Sequence, residues 1–282
     1  MAQDISTALV GWQSPDIPVQ WQDKDAQLYA LAVGCKPSTE LDFLYEARGP
    51  KVLPTFSVIS GLEVMACVLS QVKFNLAMLL HGEQRIELHR LIPPKAQAVG
   101  SGRIVEVWDK GKAAVIGVEC TVRDDIGPLF TTHATLFIRG AGGFGGERGP
   151  SAAETGAAIP DREPDYVVED VIREEQAALY RLTGDRNPIH IDPSFAKVAG
   201  FEQPFLHGLC TYGFAGRAAL HTLCGSDPEN FVSMSGRFSD QVYIGDTIIS
   251  KIWDLGNGEA VMQVETQKGN PVLNQCRIGY RR

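Results

Sequence analysis

Tyr180-Arg-Leu-Thr-Gly-Asp-Arg-Asn-Pro-Ile-His190 sets one carboxylate and one imidazole five residues apart on a bend that the backbone is forced to make. The run leading into it, Gln176-Ala-Ala-Leu-Tyr-Arg-Leu182, predicts a short helix with Ala178, Leu179 and Leu182 on its apolar face and Gly184 as its end. Pro188 has no N–H to donate and disfavours the α region for Asn187, while the Asn side chain can bond nearby backbone and fix the turn. Asp185 and His190 therefore stand on a rigid mount, able to hold one water molecule from two ends. The competing reading is a plain Asx turn with a solvated histidine after it.

The residues beyond the bend weigh against that plainer reading. Asp192-Pro193 starts a second helix through Gly200, with Asp as N-cap and Pro at the first helical position. His207-Gly208-Leu209 then opens a third, in which Leu209, Tyr212, Gly216, Ala219 or Leu220, and Leu223 recur at helical spacing and predict burial. The first-turn amides of a helix have no partner within it, and Gly208 lets a carbonyl oxygen approach closely, so this terminus is a candidate oxyanion site.

Together Tyr180, Leu182-Thr-Gly-Asp185, Asn187-Pro-Ile-His190 and Ala196 resemble the motif of the hydratase 2, or MaoC-like, enoyl-CoA hydratases. Leu80-His-Gly-Glu-Gln84, Gly142-Gly-Phe-Gly-Gly146 and Phe205-Leu-His-Gly-Leu-Cys-Thr-Tyr-Gly-Phe214 are similar to the hydratase 2 segment of peroxisomal multifunctional enzymes, so the likeness covers nearly the whole chain. It implies an α+β double hot-dog fold, each half an antiparallel sheet wrapped around a central helix.

The chain's own pattern agrees with two halves. Asp25-Ala-Gln-Leu-Tyr-Ala-Leu-Ala-Val-Gly34 parallels Glu175-Gln-Ala-Ala-Leu-Tyr-Arg-Leu-Thr-Gly184, with Tyr29 answering Tyr180. Residues 140–164, rich in Gly, Ala and Pro, read as a linker between residues 1–139 and 165–282. Alternating β-branched runs predict strands near 82–91, 99–108, 112–123 and 129–138, and again near 231–238, 246–255, 259–268 and 271–280. After Gly34 the first half reads Cys-Lys-Pro-Ser-Thr-Glu, without the Asp or the His. The resemblance implies that this altered half accommodates a bulky acyl chain, and Val64–Leu69 and Phe74–Leu80 supply apolar runs for a tunnel, although an ordinary core helix would read the same.

At 282 residues, 44% apolar and 21% charged, the chain can bury substantial cores, and a net charge of −8 argues against a general nucleic-acid binder. No apolar run reaches the roughly 20 residues that span a bilayer. The N-terminus lacks a basic start and apolar core, and the C-terminus is not of the Ser-Lys-Leu type, which together predict a cytoplasmic, bacterial protein. Six dispersed cysteines read as buried thiols rather than disulfides or metal ligands. There is no His-Glu-x-x-His, Cys-x-x-Cys or phosphate loop, and Gly142–Gly146 lacks the setting of a dinucleotide fingerprint.

Hydrating a 2-enoyl thioester needs a base for the water proton, an acid for C2 and a donor for the enolate oxygen. Asp185 and His190 can share the first two on one face of the alkene, and the Gly208 N–H supplies the third. The residues alone leave open which of the pair is base and which acid. By resemblance, His81 and Gly82 are expected as thioester or CoA contacts, Lys110 as a phosphate or adenine contact, Phe238 as part of the CoA groove, and Asn187 as a substrate or loop-ordering residue. His207 reads as structural; His89, His133 and His221 show no partner pattern. No metal and no cofactor are expected, CoA being part of the acyl-CoA substrate, and a homodimer is implied by related proteins. Two other functions remain: a hot-dog acyl-CoA thioesterase, with Asp185 directing water at the carbonyl carbon, and a non-catalytic acyl-CoA-binding subunit.

Overall fold

The computed structural model describes residues 2–150 and 157–281. Its strands are β1 (Ile17–Trp21), β2 (Leu79–Leu88), β3 (Ala96–Asp109), β4 (Ala113–Arg123), β5 (Pro128–Arg139), β6 (Tyr166–Val171), β7 (Phe231–Phe238), β8 (Thr247–Gly256), β9 (Glu259–Thr266) and β10 (Pro271–Tyr280). The described helices are α1 (Asp23–Ala32), α2 (Leu41–Leu44), α3 (Ser57–Ser60), α4 (Leu62–Leu69), α5 (Gln176–Leu182), α6 (Pro193–Val198) and α7 (Gly208–Leu223). The eight strands predicted from β-branched alternation are displaced by at most three residues. The two edge strands, β1 and β6, escaped prediction: β6 buries only Asp170, so it carries little of the alternation that marks a half-buried strand.

All ten strands join one antiparallel sheet in the order β1-β3-β4-β5-β2-β7-β10-β9-β8-β6. Outward from the β2–β7 seam, each side runs through the second, fifth, fourth, third and first strand of its own half. The duplication read in the sequence is thus a duplication of topology. Glu83 to Glu87 of β2 pair with Arg237 to Ser233 of β7, so the two sheets fuse through backbone hydrogen bonds as well as side chains.

The halves also meet through α1 and α5. Tyr29 and Tyr180, both 0% exposed, face each other with ring centroids 6.1 Å apart. Packing against α1 selects the face of α5, which buries Gln176, Ala177 and Tyr180 and leaves Leu182 54% exposed. The face predicted from Ala178, Leu179 and Leu182 is therefore corrected: a partner helix overrode the apolar spacing, and buried Gln176 is satisfied by donating to the Ala32 carbonyl at the end of α1.

α7 is buried on every side from Leu209 to Leu220, not along one stripe. Arg217 lies within that stretch, and a buried guanidinium is tolerated only when paired. Its Nε and Nη2 donate to Glu40 at 2.7 and 2.9 Å, and its Nη1 donates to Asp170 of β6 at 3.1 Å. His221 Nε2 lies 2.7 Å from the same Glu40, which gives this half-buried histidine its partner. Glu40 belongs to the segment after Gly34, so the first half supplies an anchor where the second carries the Asp185–His190 loop.

The expected linker is also corrected in part. Asp109, at the end of β3, accepts hydrogen bonds from the N–H groups of Gly111, Gly143 and Gly145 at 2.8 to 2.9 Å. Those donors, Gly143 foremost, hold its carboxyl down to about 2. The glycine run is thus clamped to the β3–β4 hairpin rather than serving as a free tether; residues 151–156 of the predicted linker lie outside the described residues.

Arg217→Leu leaves Glu40 and Asp170 buried without their cation, and the expected loss of unfolding free energy is about 3 kcal/mol. Urea denaturation measures it, and a loss below about 1 kcal/mol would contradict the pairing described.

Candidate active site

Gly184 ends α5 at φ +148°, a conformation that side-chain-bearing residues avoid, and this turns the chain away from the helix axis. Asn187 then orders the bend from both sides. Its N–H donates to Asp185 Oδ1 at 3.2 Å, and its own Oδ1 accepts from the Ile189 N–H at 3.2 Å. Pro188–His190 forms a single 3-10 turn, and Asp192 caps α6 by accepting from the Ser194 N–H at 2.8 Å. The Asx geometry of the plainer reading is present, and it serves to aim Asp185 and His190 at one space.

His190 Nδ1 lies 2.9 Å from the carbonyl oxygen of Phe205. A carbonyl can only accept, so Nδ1 carries the ring proton and Nε2 is left with its lone pair. Burial pushes the imidazole below its ordinary range, against the opposing pull of Asp185 and the Phe205 carbonyl. A neutral ring with a fixed tautomer is the form in which histidine accepts a proton.

His207, the N-cap residue of α7, reads as structural in the sequence and instead touches both members of the pair. Its Nε2 donates to the backbone oxygen of Asp185 at 3.1 Å, and its ring lies 3.9 Å from that of His190 at an angle of 33°. Burial first, and the neighbouring His190 second, push its pKa down to about 2. The sequence signal was its place beside the oxyanion candidate Gly208. Side-chain donor atoms of Asp185, His190 and His207 all lie within 4.8 Å of one another, a spacing that suits a shared water and would also suit a cation.

Asp185 and His190 open into a cavity of about 540 Å³, with His207 buried behind them. Asn187, His81, Gly208 and Phe238 line it with Asp185 and His190. Gly208 is the first residue of α7, so its N–H has no carbonyl one turn back to bond. An added Cβ there would come 3.1 Å from the Phe238 ring, which would have to give way by a few tenths of an ångström. Phe238 packs edge-on to His81 with centroids 5.2 Å apart, and the buried His81 Nε2 has no hydrogen-bond partner among the described residues. Burial pushes that imidazole down to about 4.

Gly82 and Lys110 are not brought to this cavity. Gly82 occupies the register shift between His81 and Glu83 on β2 and faces the backbone of Thr135, because the side chain before it takes the cavity side. The Lys110 ammonium, at the tip of the β3–β4 hairpin, donates to the Pro150 carbonyl at 3.0 Å. Among the described lining residues Arg186 is the one Lys or Arg. It stands within the motif itself, between Asp185 and Asn187, and only its sequence position next to the catalytic candidate could have singled it out.

The opposite wall belongs to the first half. Leu62, Met65, Ala66 and Leu69 form one stripe of α4 at helical spacing, and Leu76, Leu79 and Leu80 continue it. Val64 and Val68, on the other face of α4, are buried in the core.

Two family models match the chain: the MFE-2 hydratase 2 N-terminal domain over residues 19–140 and the MaoC-like domain over residues 155–275. The chain is 40% identical over 261 residues to a probable enoyl-CoA hydratase 2 of Dictyostelium discoideum, covering 89% of this chain and 88% of that one. It is 38% identical over 282 residues to enoyl-CoA hydratase ChsH3 of Mycobacterium tuberculosis, covering 97% of each. A MaoC-like dehydratase from Phytophthora capsici superposes with a TM-score of 0.87 at 30% identity, covering 99% of this chain and 98% of that one. The chain belongs to the hydratase 2 group of the MaoC-like family and has its double hot-dog, α+β fold. No described helix is long and apolar enough to cross a membrane.

The lowered His190 pKa has a kinetic signature. The neutral, proton-accepting form persists below pH ~6.5, the ordinary histidine value. The acid limb of kcat/KM for the free enzyme is therefore expected below that pH, and a limb at or above it would contradict the burial of a neutral His190.

Proposed function

We propose that the protein hydrates trans-2-enoyl-CoA thioesters to (3R)-3-hydroxyacyl-CoA, reversibly, in the cavity between its two halves. The observation that carries this reading is that Asp185, His190 and Gly208 line one largely apolar cavity, which brings a carboxylate, an imidazole with its Nδ1 already engaged and a first-turn helix amide to one space. Kinship with MaoC-like proteins, among them ones named enoyl-CoA hydratase 2, supports it.

In this account one water is held by Asp185 and His190 on a single face of the alkene. His190 Nε2 takes a proton as the water oxygen bonds to C3, and electrons from the double bond move to the thioester oxygen. The Gly208 N–H donates to that oxygen, a contribution of about 3 kcal/mol for a single oxyanion donor. The Asp185 carboxylate accepts the water's second hydrogen bond and stabilises the imidazolium. The proton on His190 then passes to C2 as the carbonyl reforms, so hydroxyl and hydrogen add syn and both side chains return to their starting state. No electrons are transferred to or from the substrate, so the reading assigns no redox cofactor, and with His190 as proton carrier and the Gly208 N–H as oxyanion donor it routes no step through a metal.

The α4 stripe takes the acyl chain, and Arg186 meets the CoA phosphates in the role expected of Lys110. Met65→Phe fills that wall, and is expected to lower kcat/KM for trans-2-decenoyl-CoA at least roughly tenfold relative to a four-carbon substrate. An unchanged ratio would place the acyl chain elsewhere. The expected homodimer belongs to the same proposal, and sedimentation equilibrium at twice 30.7 kDa would support it.

The direct experiment follows loss of the enoyl absorbance of trans-2-decenoyl-CoA, coupled to dehydrogenases that accept only (3R)- or only (3S)-hydroxyacyl-CoA. Coupling to the (3R) enzyme alone is expected. Asp185→Asn and His190→Gln should each cut the rate by at least roughly 10² while leaving CoA affinity within a few-fold. Free thiol without a hydroxyacyl product would establish the thioesterase instead, and absence of turnover would leave a binding subunit.

A further inference from the structure

We propose that His207 is a positioning residue for both members of the Asp185–His190 pair, fixing the backbone of one and the ring plane of the other. The inference rests on the hydratase reading of that site and goes beyond it, since His207 needs no contact with substrate.

The two edges of the ring are used differently. Nε2–H donates to the Asp185 carbonyl at 3.1 Å, which ties the first residue of the loop to the N-terminus of α7. That is the same terminus whose first residue, Gly208, lines the cavity, so one side chain sets the spacing between the Asp185 loop and the proposed oxyanion donor. The face of the ring lies 3.9 Å from His190, which is also held at its far edge by the Phe205 carbonyl at 2.9 Å. His190 is thus confined in two directions, with Nε2 left free.

The remaining atom shows that the imidazole is retained against a desolvation penalty. His207 is 0% exposed, and among the described residues its buried Nδ1 has no hydrogen-bond partner. The adjacent ring, Tyr180 at 4.9 Å, likewise buries an unpartnered hydroxyl. A phenylalanine would fill this volume without an unsatisfied nitrogen, so packing alone does not select histidine. What a phenylalanine cannot do is donate to Asp185. Burial keeps His207 neutral, and it can therefore stack on His190 without placing a second cation beside the imidazolium that forms during turnover.

Two substitutions separate the donor from the packing. His207→Phe keeps the ring and removes the N–H; His207→Gln keeps a side-chain N–H at similar reach and removes the ring. Steady-state hydration of trans-2-decenoyl-CoA is compared with Asp185→Asn and His190→Gln as references, together with melting temperature. His207→Phe is expected to lower kcat at least roughly tenfold, with KM within about threefold and melting temperature nearly unchanged, because small misplacements of reacting groups are costly. His207→Gln should recover the larger part of that loss, due to the bond to Asp185, and leave the smaller part due to the lost stack on His190. The proposal is overturned if His207→Phe keeps kcat within about twofold of the parent while the reference variants are impaired. It is also overturned if Phe and Gln are equally impaired and both melt lower, the signature of a packing role. Should His207→Phe fail to fold, His207→Gln decides: kcat within about fivefold supports the donor role, and a loss as large as that of His190→Gln overturns it. If the reference variants themselves retain activity, the reading of the site fails first and is recognised as that failure.

Discussion

Arg217 sits in the middle of a helix with no solvent-facing side, so its guanidinium must find its partners wherever that helix is packed. The carboxylates it finds come from opposite halves of the chain: Glu40 from the segment after Gly34 and Asp170 from the edge strand β6. Burying α7 thus obliges both halves to close around it. The sheet seam between β2 and β7 and the contact of Tyr29 with Tyr180 complete the same closure.

The opposite end of that helix has a different unsatisfied requirement. Its first amides lack intrahelical acceptors, and its N-cap residue is a buried histidine rather than a residue that caps by its side chain. The Asp185–His190 loop packs over this terminus, giving the Asp185 carbonyl to His207, and Gly208 lines the cavity beside it. Duplication made the arrangement possible, because each half kept a helix ending in a glycine turn, Gly34 or Gly184, and could assign that turn to a different use. One became the ionic anchor at Glu40. The other became the Asp185–His190 loop, facing the apolar stripe of α4.

Much of this was legible in the order of residues. Turn chemistry is local, so Gly184, Asn187, Pro188 and Asp192 announced their bend and caps without any tertiary information, and alternation marked the eight strands with a buried face. What escaped depended on partners distant in sequence. The buried face of α5 was chosen by α1, β6 buries too little to show a period, β1 alternates over only five residues, and nothing next to Arg217 in sequence marks it for burial beside carboxylates. Gly82 and Lys110 show the same limit from the other side. Motif likeness nominated them, but a strand irregularity turned Gly82 to the neighbouring strand and a hairpin tip gave Lys110 to Pro150. His207 was visible as a neighbour of Gly208, but only the fold brings its ring onto His190.

The central claim is that Asp185 and His190 hold a single water on one face of the alkene, and the stereochemical course of hydration in D₂O tests it most directly. NMR of the 3-hydroxyacyl product reads the relative configuration at C2 and C3. Deuterium at C2 and hydroxyl at C3 delivered to the same face is the predicted result. Delivery to opposite faces, or deuterium scrambled between the two C2 positions, would contradict the account.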